Sequence, residues 1–443
     1  MNNYRLLLFL VLFISPFVKG QINTYSPYSY FGYGILSETS NIASISMGGL
    51  GVSLMDNNYI NYLNPASYSF LDQTSFEIGV KSSFINMSQD SLVQQNFISG
   101  LSIIGLGFPI SKKIGVAISV SPYSSVGYDL TTTNLISNEM NETIESTYNY
   151  YGSGGLNRLL FGFSWKAISS QNSNLAFGLN FNYLFGSIER ETTIFSNNSS
   201  IYFRDKSDKI MNGLNIQLGV LYSVFLEDIG DYIINIGGQI QPNSTLHYKI
   251  KTLQSVYTGP TYNLNNSDTQ ILLEDPGTIY NDDFPTSYGV GFSMQDKNKE
   301  KWLIGIDYSA TSAYSSTQSE HNLSSDVMRN YTEYTIGGFF IPNKSDIYNY
   351  FNKVQYRFGI SYSSGYMDIG GITDNNLSDK LKDISVAFGF GFPMNKKFSI
   401  ANIGFQYGIL GDKSQTNFIQ ENYFNLYLSM TLNEKWFSKR KIQ

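Results

Sequence analysis

The chain of 443 residues contains no cysteine. A disulfide framework and thiolate metal sites are therefore excluded. Histidine occurs only at His247 and His321, far apart in sequence, so no histidine-based metal site is expected. Charged residues make up only 14% of the chain, and the formal net charge is -6. That balance argues against a nucleic-acid partner. The sequence has no Gly-x-Ser-x-Gly elbow, no His-Glu-x-x-His pattern and no phosphate-cradling glycine loop with its lysine. No catalytic residues, no cofactor and no metal are expected, and the chain reads as a non-enzyme. Beyond residue 20, no apolar run approaches the ~18 residues of a membrane-spanning helix.

What is present begins with an export-like segment over residues 1–20. Arg5 gives a positive start, Leu6 to Val18 an apolar core, and Val18-Lys19-Gly20 a small-residue cleavage site, so Gln21 would open the mature chain. Aromatics are abundant at 15%. That suits aromatic girdles at two membrane interfaces. Apolar and small or polar residues alternate over many segments. Ile403, Phe405, Tyr407 and Ile409 interleave with Asn402, Gly404, Gln406 and Gly408, and Phe424, Leu426, Leu428 and Met430 with Asn425, Tyr427 and Ser429. Successive strand side chains point to opposite faces. One face is greasy, the other wet, and no helices suited to cover the greasy face are evident. The pattern predicts an all-β fold, a transmembrane antiparallel β-barrel with its apolar side outward.

Alternation predicts about fourteen strands. Their bounds are 74–88, 97–110, 114–130, 154–169, 174–194, 201–226, 231–252, 285–296, 301–315, 331–342, 354–369, 379–393, 398–411 and 420–433. Short polar turns, such as Ser111-Lys112-Lys113 and Ser170-Gln171-Asn172-Ser173, alternate with longer connections at 131–153, 253–284, 316–330 and 370–378. Outer-membrane barrels put short turns in the periplasm and long loops outside. The connection from Asn343 to Lys353 is the long exception on the short-turn side, where Ser345-Asp346-Ile347-Tyr348 could cap a brief helix. The predicted organisation is an export segment 1–20, an N-terminal segment 21–73, a barrel 74–437 and a basic tail 438–443. Leu175, Phe177, Leu179, Phe181 and Tyr183 face lipid, as do Tyr356, Phe358, Ile360 and Tyr362, whereas Ala176, Gly178, Asn180, Arg357 and Gly359 face inward. Asp307 and Asp368 also fall inward and suggest a solvated network with Arg357.

The N-terminal segment carries Gly48, Gly49 and Gly51 in a Gly-Gly-Leu-Gly-Val run, followed by Asn64-Pro65-Ala66. Glycines permit tight turns and close packing, and Asn-Pro favours a turn. Folded inward, the segment would make a hatch. Left outside, it would be an ordinary periplasmic extension. With about fourteen strands behind it, the chain resembles the long-chain fatty-acid transporter (FadL-type) family of outer-membrane proteins. Ser67 stands where that family usually has glycine. The resemblance implies a hatch-plugged barrel with Asn64, Pro65 and Ala66 in the hatch. It also implies passive uptake of hydrophobic molecules, fatty-acid or detergent-like, captured outside and released sideways into the bilayer through a kink in the third strand or by a hatch shift.

The third strand holds Ser121-Pro122-Tyr123 and then Gly127. Proline cannot donate to a ladder. Pro122 therefore either breaks the wall, with Gly127 beside a lateral opening, or sits near the strand's outer end. Pro242 interrupts the seventh strand in a similar way. The expected partners are a hydrophobic small molecule and outer-membrane lipid. A different role on the same scaffold is an accessory or shuttle barrel in protein secretion, which would bind a protein partner through its extracellular loops.

Overall fold

The computed structural model describes residues 24–37, 40–89, 92–137, 143–196, 198–226, 231–259, 262, 268–296, 301–312, 314–315, 327–328, 330–368, 380–394, 399–412 and 419–434. The expected export segment, Trp436-Phe437, the basic tail, His321 and Asn141-Glu142 lie outside them.

The wall is a closed antiparallel barrel of 14 strands. In chain order they are β1 (Thr74–Gln89), β2 (Leu92–Ser111), β3 (Ile114–Ser137), β4 (Thr143–Ser169), β5 (Ser173–Ser196) and β6 (Ile201–Leu226). Two strands follow in halves: β7 (Tyr232–Gln241 and Ser244–Thr258) and β8 (Gln270–Phe284 and Ser287–Asp296). The last six are β9 (Trp302–Thr311), β10 (Tyr331–Phe340), β11 (Gln355–Asp368), β12 (Lys380–Pro393), β13 (Ile400–Leu410) and β14 (Gln420–Glu434). Each pairs with the next, and β14 pairs with β1 from Glu434↔Thr74 to Gln420↔Ser88, which closes the ring. Closure leaves the sheet without free end strands, as lipid demands, although the β2–β3 ladder spans only part of both strands.

The faces follow the alternation. Phe177, Phe181, Phe358, Ile360 and Phe388 are exposed on the outside, while Ala176, Asn180, Arg357 and Ala387 are buried on the inside. An unbroken outer row of this kind is stable only against lipid, so the barrel spans a membrane.

The strands are unequal. β4 has 27 residues and β6 has 26, whereas β9 and β10 have 10 each. About ten residues suffice to cross the hydrocarbon layer. One half of the wall, β3 to β8, therefore stands well above the bilayer. This corrects the expected connections at 131–153 and 253–284, which are largely strand: β3 runs on to Ser137, β4 starts at Thr143, and Gln270–Phe284 forms the upper half of β8. Likewise β2 starts at Leu92 rather than at residue 97. Above the lipid the apolar residues no longer form one regular outward row: Ile271, Leu272 and Leu273 run consecutively, while Tyr128, Met211 and Tyr248 are buried inside, so the alternation that reveals a strand is missing there. On the outer face of that region Arg204 meets Glu191 at 2.6 Å and Lys206 meets Glu189 at 2.8 Å.

The N-terminal segment lies within the ring. Its lower stretch packs Ile42, Leu50, Ile60, Ala66 and Tyr68 out of solvent. It contains one short helix, α1 (Ile42–Ile45), capped by Asn41. Every strand from β1 to β13 turns at least one inward glycine toward this stretch. A Cβ on Gly178, Gly237 or Gly359 would overlap the backbone at Pro65-Ala66, Val52 or Met47. The small inward residues of the strands are thus the space that the segment fills. Its upper stretch crosses the lumen: Ser26 N donates to Gly127 O of β3 at 3.0 Å, and Tyr28 OH donates to Ile419 O just before β14.

Candidate functional site

The floor of the lumen is built around the two motifs. Gly48 and Gly49 follow α1 with φ of +75° and +91°, a region that favours glycine. They turn the chain so that the next amides face the wall. The Gly51 and Val52 N–H groups both donate to Asp307 Oδ2 of β9 at 2.7 Å, and Ser53 Oγ donates to Oδ1. The expected pairing of Asp307 with Arg357 is therefore absent: the carboxylate serves as an acceptor for the segment. Arg357 instead donates to Tyr59 OH at 2.6 Å and to Asn402 at 2.9 Å. Asp368 pairs in the ladder with Lys380 near the outer end of β11.

Asn64, Pro65 and Ala66 form the second anchor. Asn64 caps the 3-10 turn Pro65–Phe70, its Oδ1 accepting from Ala66 N at 3.1 Å. Its Nδ2 donates to Val52 O at 2.7 Å and to Val220 O of β6 at 3.0 Å, so one side chain joins turn, glycine run and wall. Ser164 of β4 donates to Ala66 O at 2.8 Å. Ser67 donates its hydroxyl to Asn64 O at 2.7 Å, a bond glycine could not make. Replacing Asp307 by Asn is expected to weaken the floor without unfolding the barrel. Each hydrogen bond to a charged acceptor contributes about 1.5–3 kcal/mol. Amide exchange at Gly51 and Val52 should therefore rise at least tenfold while that of the strand ladders holds.

Pro122 marks a break in the wall. The β2–β3 ladder runs from Ser111↔Ile114 to Ile104↔Val120 and stops there. Above it β2 pairs only with β1, and β3 pairs with β4 past a bulge between Pro122 and Ser124. The unpaired edge of β3 is met from within by the short strand Ile35–Leu36, which pairs with Ser125 and Ser124. Ser37 N adds a bond to Tyr123 O at 2.9 Å. A cavity of ≈ 60 Å³ sits at the break, lined by Ile98 to Ser102 of β2, Pro122, Ser125 and Ser37. Gly127 does not line it. Its N–H and carbonyl are bonded by Ser29 and Ser26, so Gly127 anchors the upper stretch. Pro242 differs from Pro122. β7 breaks there and β8 breaks beside it, between Phe284 and Ser287, but Gln241↔Ser287 and Ser244↔Phe284 keep the wall joined on both sides.

Between floor and upper stretch lie two adjoining cavities. The larger, ≈ 300 Å³, is bounded by Gly48, Gly49 and Val52 below, Ile35 and Leu36 above, and Asp307, Glu333 and Asp383 on the wall. The smaller, ≈ 160 Å³, is bounded by Tyr33, Leu36, Tyr62, Tyr123, Phe284 and Arg158. Arg158 is the residue that the sequence did not single out. It lies inward on β4, 5% exposed, beside the break at Ser121↔Arg158. Its one hydrogen bond goes to Ser121 Oγ at 3.2 Å, its Nε has no acceptor, and among the described residues no carboxylate pairs with it. Tyr62 OH, on the same cavity, is also without a partner. A lone arginine among alternating strand residues gives no sign of burial, so only the assembled wall reveals it. His247 hydrogen-bonds Asn281 across the β7–β8 ladder at 2.6 Å.

The fold is shared with solved transport proteins. The toluene transporter TodX of Pseudomonas putida superposes with a TM-score of 0.52 at 16% identity, over 90% of this chain and 99% of its own. The toluene transporter TbuX of Ralstonia pickettii gives 0.55 at 11%, over 89% and 98%. A FadL homologue of Pseudomonas aeruginosa gives 0.52 at 14%, over 90% and 99%. No curated protein matches the sequence. At such identities the likeness is one of architecture, and it agrees with the FadL-type barrel expected from the motifs. The sequence itself matches the model of a separately named family over residues 3–443, so the chain belongs to the BamG family.

Proposed function

We propose that this chain is an outer-membrane channel for passive uptake of hydrophobic small molecules. The observation that carries the reading is the interrupted β2–β3 ladder beside the cavities of the lumen. The N-terminal segment acts as a hatch, with Gly48, Gly49, Gly51, Asn64, Pro65 and Ala66 holding it to the wall. Bonds from Asp307, Ser164, Val220 and Arg357 hold it on several sides, which favours a static floor and sideways release over a hatch shift. The molecule would enter from the side of the projecting β3–β8 half-wall and leave past Pro122 into the bilayer. No energy source is needed, because each methylene removed from water contributes about 0.8 kcal/mol.

Arg158 favours an amphiphilic acid over a neutral hydrocarbon. A buried guanidinium without a carboxylate is costly, and an arriving carboxylate would satisfy it in bidentate fashion. The apolar tail would lie against Leu36, Tyr123 and Phe284. The alternative is the accessory role in protein secretion, which would use the outer loops, most of which lie outside the described residues.

Vesicles carrying the protein should take up labelled long-chain fatty acid and exclude a sugar of similar mass. Equal passage of both would make it an open pore. Replacing Pro122 by Val, which restores a ladder donor, should slow uptake several-fold. Unchanged uptake would remove Pro122 from the exit.

A further inference from the structure

The connection between β10 and β11 is unlike the other described turns at its end of the barrel. Lys112-Lys113 and Ser170-Gln171-Asn172 are short and polar. The stretch 341–354 is longer and internally folded. Asn343 N donates to Asn352 O at 2.8 Å. Asp346 accepts from Tyr348 N at 2.8 Å, Asn349 N at 2.9 Å and Asn352 Nδ2 at 2.6 Å. Asn349 caps the closing 3-10 turn Tyr350–Lys353. Several of its polar groups are thus bonded to one another. Ile341 and Val354 at its ends are buried, but three apolar side chains between them point out: Tyr348 is 100% exposed, Ile347 86% and Phe351 65%. A turn that spends its hydrogen bonds on holding large apolar groups outward is arranged to bury them elsewhere.

Its position tells where. Tyr356, at the start of β11, belongs to the lipid-facing row with Phe358 and Ile360, and its hydroxyl donates to Phe351 O at 3.1 Å. Tyr350 OH donates to Pro393 O at the end of β12 at 2.9 Å. Tyr356 also packs edge-on against Phe390, with ring centroids 5.7 Å apart. These contacts draw the connection onto the outer flank of the wall, where it continues the lipid-facing surface. Tyrosines with an apolar body and a polar tip suit the level of the headgroups. Lys344 and Lys353, on the same stretch, would meet phosphates there.

We propose that 341–354 is a membrane foot: Ile347, Tyr348 and Phe351 insert at the headgroup–acyl boundary of the adjacent leaflet. The foot fixes the depth and tilt of the short β9–β12 half of the barrel, whose strands have little length to spare. It needs only that the barrel spans a bilayer, and it stands whichever ligand the lumen takes.

The absence of native cysteine makes a single label unambiguous. Tyr348→Cys and Phe351→Cys variants, each carrying a nitroxide, would be reconstituted in phospholipid nanodiscs and compared with Lys112→Cys. Accessibility to oxygen and to a water-soluble nickel complex is then read by power saturation. The expected result is at least a fivefold preference for oxygen at 348 and 351 relative to 112. Nickel access at 348 equal to that at 112 would place the foot in water and overturn the proposal. Shielding from both reagents would mean cover by protein, through a second copy, and would overturn it too. Because both side chains are exposed, their replacement leaves the fold intact.

Discussion

Oxidising a Leu36→Cys/Ser124→Cys double variant abolishes uptake, and reduction restores it. Leu36 and Ser124 are partners in the short ladder that closes the free edge of β3. Cross-strand partners have Cβ atoms about 4.5–5.5 Å apart, which a small backbone shift brings within disulfide reach. The native chain has no cysteine, so the engineered bond is the only one that can form. If Ile35–Leu36 must leave the β3 edge for a molecule to pass, locking it there blocks the exit and leaves barrel and floor untouched. The expected loss of fatty-acid flux is at least twentyfold. Thermal stability in detergent should rise or stay level, because a bond is added at an existing pairing. Full flux in the oxidised protein would show that the short strand is no gate.

The second large effect is at Arg158. Arg158→Leu should lower affinity for a long-chain acid by about 10–150-fold, the equivalent of losing a charge-assisted contact of about 1.5–3 kcal/mol. Binding of toluene or of the methyl ester of the same acid should change less than threefold. The comparison separates a role in recognising the head from one in packing. The variant should also fold at least as well as the native chain, because removing an unpaired buried charge relieves its desolvation cost. If acid and ester lose affinity equally, Arg158 is structural. If neither changes, the acid binds elsewhere.

The strands that touch lipid were legible, because lipid on one side and a polar interior on the other impose a period of two. Phe177, Phe358 and Phe181 stand as the alternation places them. The same logic failed where the wall rises into water. Along Gln270–Phe284 the apolar residues Ile271, Leu272, Leu273 and Ile279 do not alternate, and at Thr131–Asn134 the residues are polar, so strand pairing there is held by backbone bonds that the pattern does not reveal. Asn64-Pro65-Ala66 could be read as a turn, but its attachment to Val220 could not, since that bond joins residues far apart in sequence. Pro122 was legible as an obstacle to pairing. What distinguishes it from Pro242 is whether a neighbouring strand breaks in step, a property of two segments rather than one. Arg158 and Tyr62 gave no signal, because burial without a partner exists only once β4, β2 and the N-terminal segment are together.

The central claim is that a hydrophobic molecule passes from the lumen into the bilayer between β2 and β3. The most direct measurement is photo-cross-linking with a diazirine-bearing long-chain fatty acid in vesicles, with labelled residues mapped by mass spectrometry. The account predicts adducts on Leu36, Tyr123 and Phe284 in the lumen and on Ile98, Leu101 and Pro122 at the break, the second group disappearing in the oxidised Leu36→Cys/Ser124→Cys variant. Adducts confined to the lumen and to Leu54 and Met55, which follow Ser53 in the buried floor, with none at the break, would contradict it and place the exit through the hatch.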